Sequence, residues 1–205
     1  IVDETQTLYF QLDPRAKAQT QTILPMIEQG FQALNIRGEQ LTAIAFSRGP
    51  GSFSGVRINA AVTQALAWAN DTPVIPVSTL QALAQAAFRL ANLTEVTAVL
   101  DARMKEVYMA SFKLDENNLM QCVDEEKLLD YQQAEQYQKF TLIGSGSALV
   151  KAEAIEFQHI SSDAVDIATI ARQCALQKQW LSAEFALPVY LRDNAWKKIS
   201  EQGKP

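Results

Sequence analysis

The chain has 205 residues, 48% of them apolar and 20% charged, a balance that supports one large or two small globular domains with a substantial core. Its formal net charge is -5 and its pI is near 5.0, and its longest basic run is Lys197-Lys198. That balance excludes a chain that grips nucleic acid by itself, because affinity for a phosphate backbone comes from a basic face that releases counterions. Cys122 and Cys174 belong to no C-x-x-C pair and read as thiols of a reducing compartment. No apolar run approaches the roughly 20 residues that span a bilayer, and no signal peptide is visible, so a cytoplasmic location is expected. The sequence opens on Ile1 without Met, and natural N-terminal residues are expected to be missing.

Residues 7–12, Thr-Leu-Tyr-Phe-Gln-Leu, form a short apolar and aromatic stretch that is expected to pair as one strand of a hairpin with the absent start of the chain. Thr20 or Thr22 then opens a helix ending at Asn35, with Pro25 in its first turn. Leu24, Ile27, Phe31 and Leu34 form one apolar stripe, widened by Ile23 and Met26, which packs on a sheet or on another chain. Residues 41–46 read as a buried strand because Ile44, Ala45 and Phe46 leave no polar face. Gly49, Pro50, Gly51 and Gly55 impose a turn, and a helix over 56–69 follows with Ser52 or Ser54 capping its first turn. Ala60, Ala61, Ala65, Ala67 and Ala69 make that helix a surface that another backbone can approach closely.

Residues 72–77 read as a strand, with Pro73 and Pro76 marking an edge or strand ends. Ser78 caps a helix carrying Leu80, Leu83, Ala84, Ala87 and Leu90. Strands are predicted over 96–100 and 107–114, joined by a turn at 101–104, and the order of elements restarts near Val96. The polar stretch 115–130, around Asn117-Asn118, reads as a mobile surface loop. A strand over 140–143 closes on Gly144 and Gly146, Asp163 caps a helix bearing Val165, Ile167, Ala168, Ala171, Cys174 and Ala175, and residues 188–191 are extended. Strands alternating with helices indicate an α/β fold, with residues 1–95 and 96–205 as its two units.

A glycine turn that opens a helix has free amides at the positive end of the helix dipole, so it reads either as an anion cradle or as a tight structural turn. Gly49, Gly51 and Gly55 give G-x-G-x-x-x-G, one residue longer than the dinucleotide fingerprint, and no Lys-Ser or Lys-Thr follows at P-loop spacing. Neither Ser52 nor Ser54 is flanked by glycines two residues away, which excludes a nucleophile elbow. Arg48 and Arg57 flank the turn and would bring positive charge to an anion held by Gly49, Gly51, Ser52 and Gly55; alternatively they are surface charge. The single histidine, His159, and two distant cysteines assemble no zinc or iron site at a recognised spacing, so no metal is expected. A lone histidine reads as a surface residue, and nothing fixes it against Ser52 or Ser54 as part of a triad. Asp101 and Arg103, at a strand end, are placed either to bind a phosphate or partner or to pair with each other.

The segment Ser47-Arg48-Gly49-Pro50-Gly51-Ser52-Phe53-Ser54-Gly55-Val56-Arg57 resembles the signature of the bacterial TsaB (YeaZ) family, which assists threonylcarbamoylation of transfer RNA. Pro76-Val77-Ser78-Thr79-Leu80, Asp101-Ala102-Arg103-Met104, Glu106-Val107-Tyr108 and Pro188-Val189-Tyr190-Leu191-Arg192 continue the resemblance in family order along nearly the whole chain. The resemblance implies two ribonuclease-H-like halves of the actin-like ATPase (ASKHA) superfamily, with mixed sheets flanked by helices. The second half is smaller, and its last segment packs back on the first. An opening strand with an Asp-Thr-type motif, present in the family, is absent from this sequence.

The resemblance further implies a non-catalytic scaffold without a cofactor of its own, pairing with a TsaD-like catalytic subunit and a TsaE-like ATPase. ATP or ADP would sit at the interface of that complex, tRNA would be reached only through it, and the chain alone would form a homodimer. The helices over 22–35 and 56–69 are similar to the family's docking pair, which makes Leu24, Ile27, Phe31, Arg57, Ala61, Gln64, Ala65 and Trp68 the expected interface residues. Catalytic TsaD-type relatives hold a metal with paired histidines on the helix around residues 18–20; this sequence has none there, and Gln19 stands where many TsaB relatives keep one histidine. Two rival readings are a serine-type or glycoprotease-like peptidase using Ser52 or Ser54, and an ATP-dependent kinase of the same fold with residues 49–55 on the phosphates.

Overall fold

The structure is a computed structural model that describes residues 1–15 and 18–192. In chain order its first elements are α1 (Gln19–Leu34), β1 (Ile44–Gly49), α2 (Phe53–Asn70), β2 (Val74–Ser78) and α3 (Thr79–Ala91). There follow β3 (Glu95–Arg103), β4 (Glu106–Leu114), β5 (Met120–Cys122), β6 (Lys127–Asp130), α4 (Tyr131–Tyr137), β7 (Thr141–Ile143), α5 (Ser147–Val150) and α6 (Ala164–Leu176). Lys197-Lys198 lies outside the described residues.

β1 and β2 pair in parallel, with Ile44 opposite Val74 and Ser47 opposite Val77. Parallel strands need cover on both faces, and residue parity divides it. Phe46 and Val74 face Ala60 and Ala67 of α2, while Ile75 and Val77 face Ile170 and Ala171 of α6. The second sheet runs β5-β4-β3-β7, with β6 also on β4; β3 is antiparallel to β4 and parallel to β7. α3 lies between the two sheets. Its Leu80, Leu83, Ala84 and Ala87 join Val96, Ala98, Ala110, Phe112 and Ile143, while its Ala82 joins Ile75 and Ile170. Burying a leucine such as Leu83 contributes about 1.5–3 kcal/mol.

Polar contacts fasten α3 on both sides. Ser78 caps it as predicted, its Oγ accepting from the amides of Leu80 and Gln81 at 3.1 and 3.2 Å. Arg89 reaches α6 with two hydrogen bonds of 2.8 Å to Asp166 and one of 3.2 Å to Asp163. The bonds to Asp166 are the largest cause of an Arg89 pKa raised above the ordinary arginine value. On the β5 side, the buried Gln85 accepts from Met120 N–H at 3.0 Å and donates to Asn118 O at 3.0 Å, while Gln81 donates to Met120 O at 2.9 Å. Gly144, at φ +89, lies so close to α3 that a Cβ there would stand 2.5 Å from Leu83 Cδ2 and 2.7 Å from Val99 O.

Several boundaries differ from the sequence reading. The first strand is Ile44–Gly49 rather than 41–46, because Ser47 and Gly49 extend the ladder to Val77 and Ser78 through an irregularity in register. α1 begins at Gln19, so Pro25 lies in the helix interior and not in the first turn; Asn35 ends it at φ 51, as predicted. Residues 7–12 supply no sheet strand. Instead residues 1–9 close on themselves through a Val2–Thr7 bridge and an Ile1 amino group donating to Tyr9 O at 2.8 Å. The Asp3 carboxylate accepts from the amides of Thr5 and Gln6 in that turn, which holds its pKa down at about 2.

The polar stretch 115–130 is not a loop but contains β5 and β6. Met120 is fully buried there, and the glutamines of α3 complete its backbone hydrogen bonds, so the segment is fixed from outside itself.

Candidate docking face and glycine turn

The glycine turn follows β1 and opens α2. Gly49 has φ +101, and a Cβ on it would lie 3.1 Å from the carbonyl of Val189, so glycine is required both by the backbone and by the segment that crosses there. Ser52 occupies the N-cap position of α2, but its side chain makes no capping bond; its Oγ lies 3.5 Å from Ser54 Oγ. Gly51 and Ser52 lie in this turn, and Gly55 lies in the first turn of α2. The flanking arginines do not point into it together. Arg48 pairs with both carboxylate oxygens of Glu126 at 3.3 Å, tying β1 to the segment before β6. Arg57 lies over the Phe53 ring at 3.7 Å and donates its Nε to Tyr190 OH at 2.7 Å.

The remaining polar candidates are separate from one another. Asp101 and Arg103 pair locally at 2.9 Å, the alternative in which they serve the hairpin. His159 is exposed in the turns after α5 and makes no hydrogen bond among the described residues. Burial raises the pKa of Cys122 and of Cys174, which keeps both as neutral thiols at pH 7. Among the described residues no group of three or more His, Cys, Asp or Glu side chains is placed to hold a metal ion. None of their helices is long and apolar enough to cross a membrane.

The face formed by α1 and α2 has a different character. Leu24 is 54% exposed and Trp68 62% exposed, and Ala61 and Ala65 also face outward. Between the helices an open groove is lined by Leu24, Ile27, Phe31, Ile36 and Leu66, flanked by Glu28, Gln32 and Asn35. Gln64, predicted on this face, instead donates to the carbonyls of Ala183 and Glu184 at 3.3 and 3.2 Å and anchors the chain's last described segment. That segment, residues 181–192, runs along β2 and α2. Leu181 bridges Val74, Ala183 and Ala186 bury against Phe46 and Ala60, and Val189 N–H donates to Arg48 O at 2.8 Å.

Sequence reasoning missed Ile36, Leu66, Phe53 and Tyr190. The first two continue the apolar pattern and were legible as such. Tyr190 stands 133 residues from Arg57, and its motif Pro188-Val189-Tyr190-Leu191-Arg192 carries no sign of the helix it meets.

Comparison with known proteins agrees with this architecture. The model of the TsaD family, tRNA N6-adenosine threonylcarbamoyltransferase, matches residues 14–203. The chain is 36% identical over 213 residues to the tRNA threonylcarbamoyladenosine biosynthesis protein TsaB of Escherichia coli K12, covering 96% of this chain and 90% of that one. It is 34% identical to the Haemophilus influenzae TsaB, covering 89% and 84%. The solved structure of YeaZ from Pseudomonas aeruginosa superposes with a TM-score of 0.77 at 32% identity, covering 84% of this chain and 85% of that one. The fold is therefore the ribonuclease-H-like arrangement of the actin-like superfamily. The signature at Ser47–Arg57, the fold and the relatives concur, and the chain belongs to the TsaB (YeaZ) family.

Proposed function

We propose that this chain is a non-catalytic subunit of the machinery that places threonylcarbamoyl on the adenosine of tRNA, and that it works by docking on a TsaD-type catalytic chain. The carrying observation is the α1–α2 face, where Leu24 and Trp68 stand in solvent beside a groove floored by Ile27, Phe31 and Leu66. A contiguous apolar face on a surface helix pair marks a protein interface. A stable one buries at least about 1,000 Å² and loses most affinity when its large apolar anchors are truncated. The chain matches the TsaD family model itself, so homologous helix pairs on the two chains supply a self-complementary mode of association, and a second copy of this chain fits the same face.

The absence of its own chemistry in this reading is supported by geometry. The Oγ atoms of Ser52 and Ser54 face each other, with no basic side chain hydrogen-bonded to either among the described residues. A serine without a positioned base is a weak nucleophile, which disfavours the peptidase reading. The pairing of Arg48 with Glu126 likewise disfavours a kinase that would need that guanidinium on a phosphate. Nucleotide and tRNA enter through the partners: an ATPase subunit for the first and the assembled complex for the second.

Reconstitution tests the reading. Threonylcarbamoyl transfer to tRNA by a matched TsaD-type and ATPase pair, supplied with threonylcarbamoyl-adenylate and ATP, is expected to require this chain and to survive Ser52→Ala, Ser54→Ala and His159→Ala. Transfer without the chain, or its loss in those variants while the complex still forms, overturns it.

A further inference from the structure

Arg57 is the only basic residue in α1 and α2, and Glu28 is the only acidic one. One guanidinium therefore carries the whole positive charge of the two helices that form the docking face. It is also held in place. Phe53, one helical turn earlier, lies under it at 3.7 Å; the Tyr190 ring is 5.6 Å away, and the Tyr190 hydroxyl takes the Nε hydrogen bond at 2.7 Å. The two rings stand 6.0 Å apart at 43° and wall the guanidinium on two sides.

Tyr190 is fixed in turn by its neighbours. Val189 N–H bonds to Arg48 O, and Arg192 donates to Ala102 O at 3.1 Å while pairing with Glu106 at 2.5 Å. Together with the Gln64 anchor and the Leu181 bridge, these contacts hold the last described segment in place, and one result is the orientation of Arg57.

Nε is committed to Tyr190, and among the described residues no acceptor is hydrogen-bonded to either terminal Nη group of Arg57. A planar fork of donors, ordered before it binds and exposed at the edge of a docking face, matches the two oxygens of a carboxylate. Because stacking and the tyrosine bond have already fixed its rotamer, little further freedom is lost when the fork is occupied.

We propose that Phe53, Arg57 and Tyr190 form a preformed receptor for one carboxylate of the docking partner, at the rim of the α1–α2 face; this rests on the docking reading above. A carboxylate is favoured over the phosphates of a nucleic acid. The chain carries a net charge of -5, and a lone guanidinium without basic neighbours on its helices does not hold a polyanion against physiological salt. A single charge pair at the edge of an interface instead sets register and rejects partners that lack the matching acid.

The experiment is titration calorimetry of the full chain against the TsaD-type chain of the same organism, at low and high salt. Arg57→Gln is expected to weaken binding about tenfold and to flatten its salt dependence. Arg57→Lys is expected not to restore it, because an ammonium lacks the fork, and Tyr190→Phe is expected to weaken it about threefold with the salt dependence kept. Arg57→Glu should be rescued by a Lys in place of the partner's interface acid. Ala61→Glu, in the middle of α2, reports on docking alone. If Ala61→Glu abolishes binding while Arg57→Gln binds like the unmodified chain, the receptor is refuted and the docking face stands. Undiminished binding by Ala61→Glu refutes the docking face itself. An Arg57→Gln chain that binds its partner normally but weakens tRNA capture by the assembled complex would assign the fork to a phosphate, and would also overturn the proposal.

Discussion

α2 and α3 are built alike and used differently. Each follows a parallel strand, each has a serine at its N-cap position, and each is rich in alanine. In α3 the alanines are buried between two sheets: Ala82, Ala84, Ala86 and Ala87 are all at 0% exposure. In α2 only Ala60 and Ala67 are covered, while Ala61 and Ala65 are exposed, as are Leu24 of α1 and Trp68. Small residues permit close approach in both helices. Within α3 the approaching surfaces belong to this chain; on the outer face of α2 no described residue covers them.

Mutations sharpen that contrast, beginning with stability. Leu83→Ala in α3 is expected to destabilise the fold by about 3 kcal/mol, since it removes a buried side chain and leaves a cavity beneath Gly144; chemical denaturation measures it. The capping serines should differ in the same direction. Ser78→Ala is expected to cost about 1 kcal/mol, because two amides of α3 lose their acceptor. Ser52→Ala should change stability by less than about 0.5 kcal/mol, because Ser52 caps nothing with its side chain.

Ala61→Glu should leave the unfolding midpoint nearly unchanged, within about 0.5 kcal/mol, and yet abolish self-association measured by light scattering. A dimer that persists in that variant would remove α2 from the interface. The smallest effect expected is local. Asp3 is held at about 2 by the amides of Thr5 and Gln6, against an ordinary value near 3.8. Its folded pKa is depressed, so the contribution of this turn is present above pH 4 and disappears as the pH falls towards 2. Amide exchange at Thr5 and Gln6 would report that loss, and no change over this interval would contradict the assignment.

What could be read in advance followed the reach of each physical signal. Period and cap chemistry are local, and they placed α3, the Asn35 terminus, the Ser78 cap and the Asp163 cap of α6. The exposed stripe of Leu24, Ile27 and Phe31 was legible as apolar, but periodicity alone could not tell a face toward a sheet from a face toward solvent. β5 and β6 were illegible because their order comes from outside them. Nothing within residues 115–130 indicates that Gln85, 35 residues before Met120, supplies the missing strand-like partner. The setting of Arg57 failed to show for the same reason, and so did the anchoring of Gln64: both depend on the segment 183–190 returning from the far end of the chain.

The two glutamines of α3 have one more consequence. β5 is the outermost strand of its sheet, and such an edge normally offers free amides and carbonyls to any passing extended chain. Here Gln85 and Gln81 occupy both backbone groups of Met120 and imitate the neighbour that the sheet lacks. The backbone of Met120 is thereby closed by side chains, and the same contacts that order a polar segment leave that position of the edge nothing to offer another extended chain.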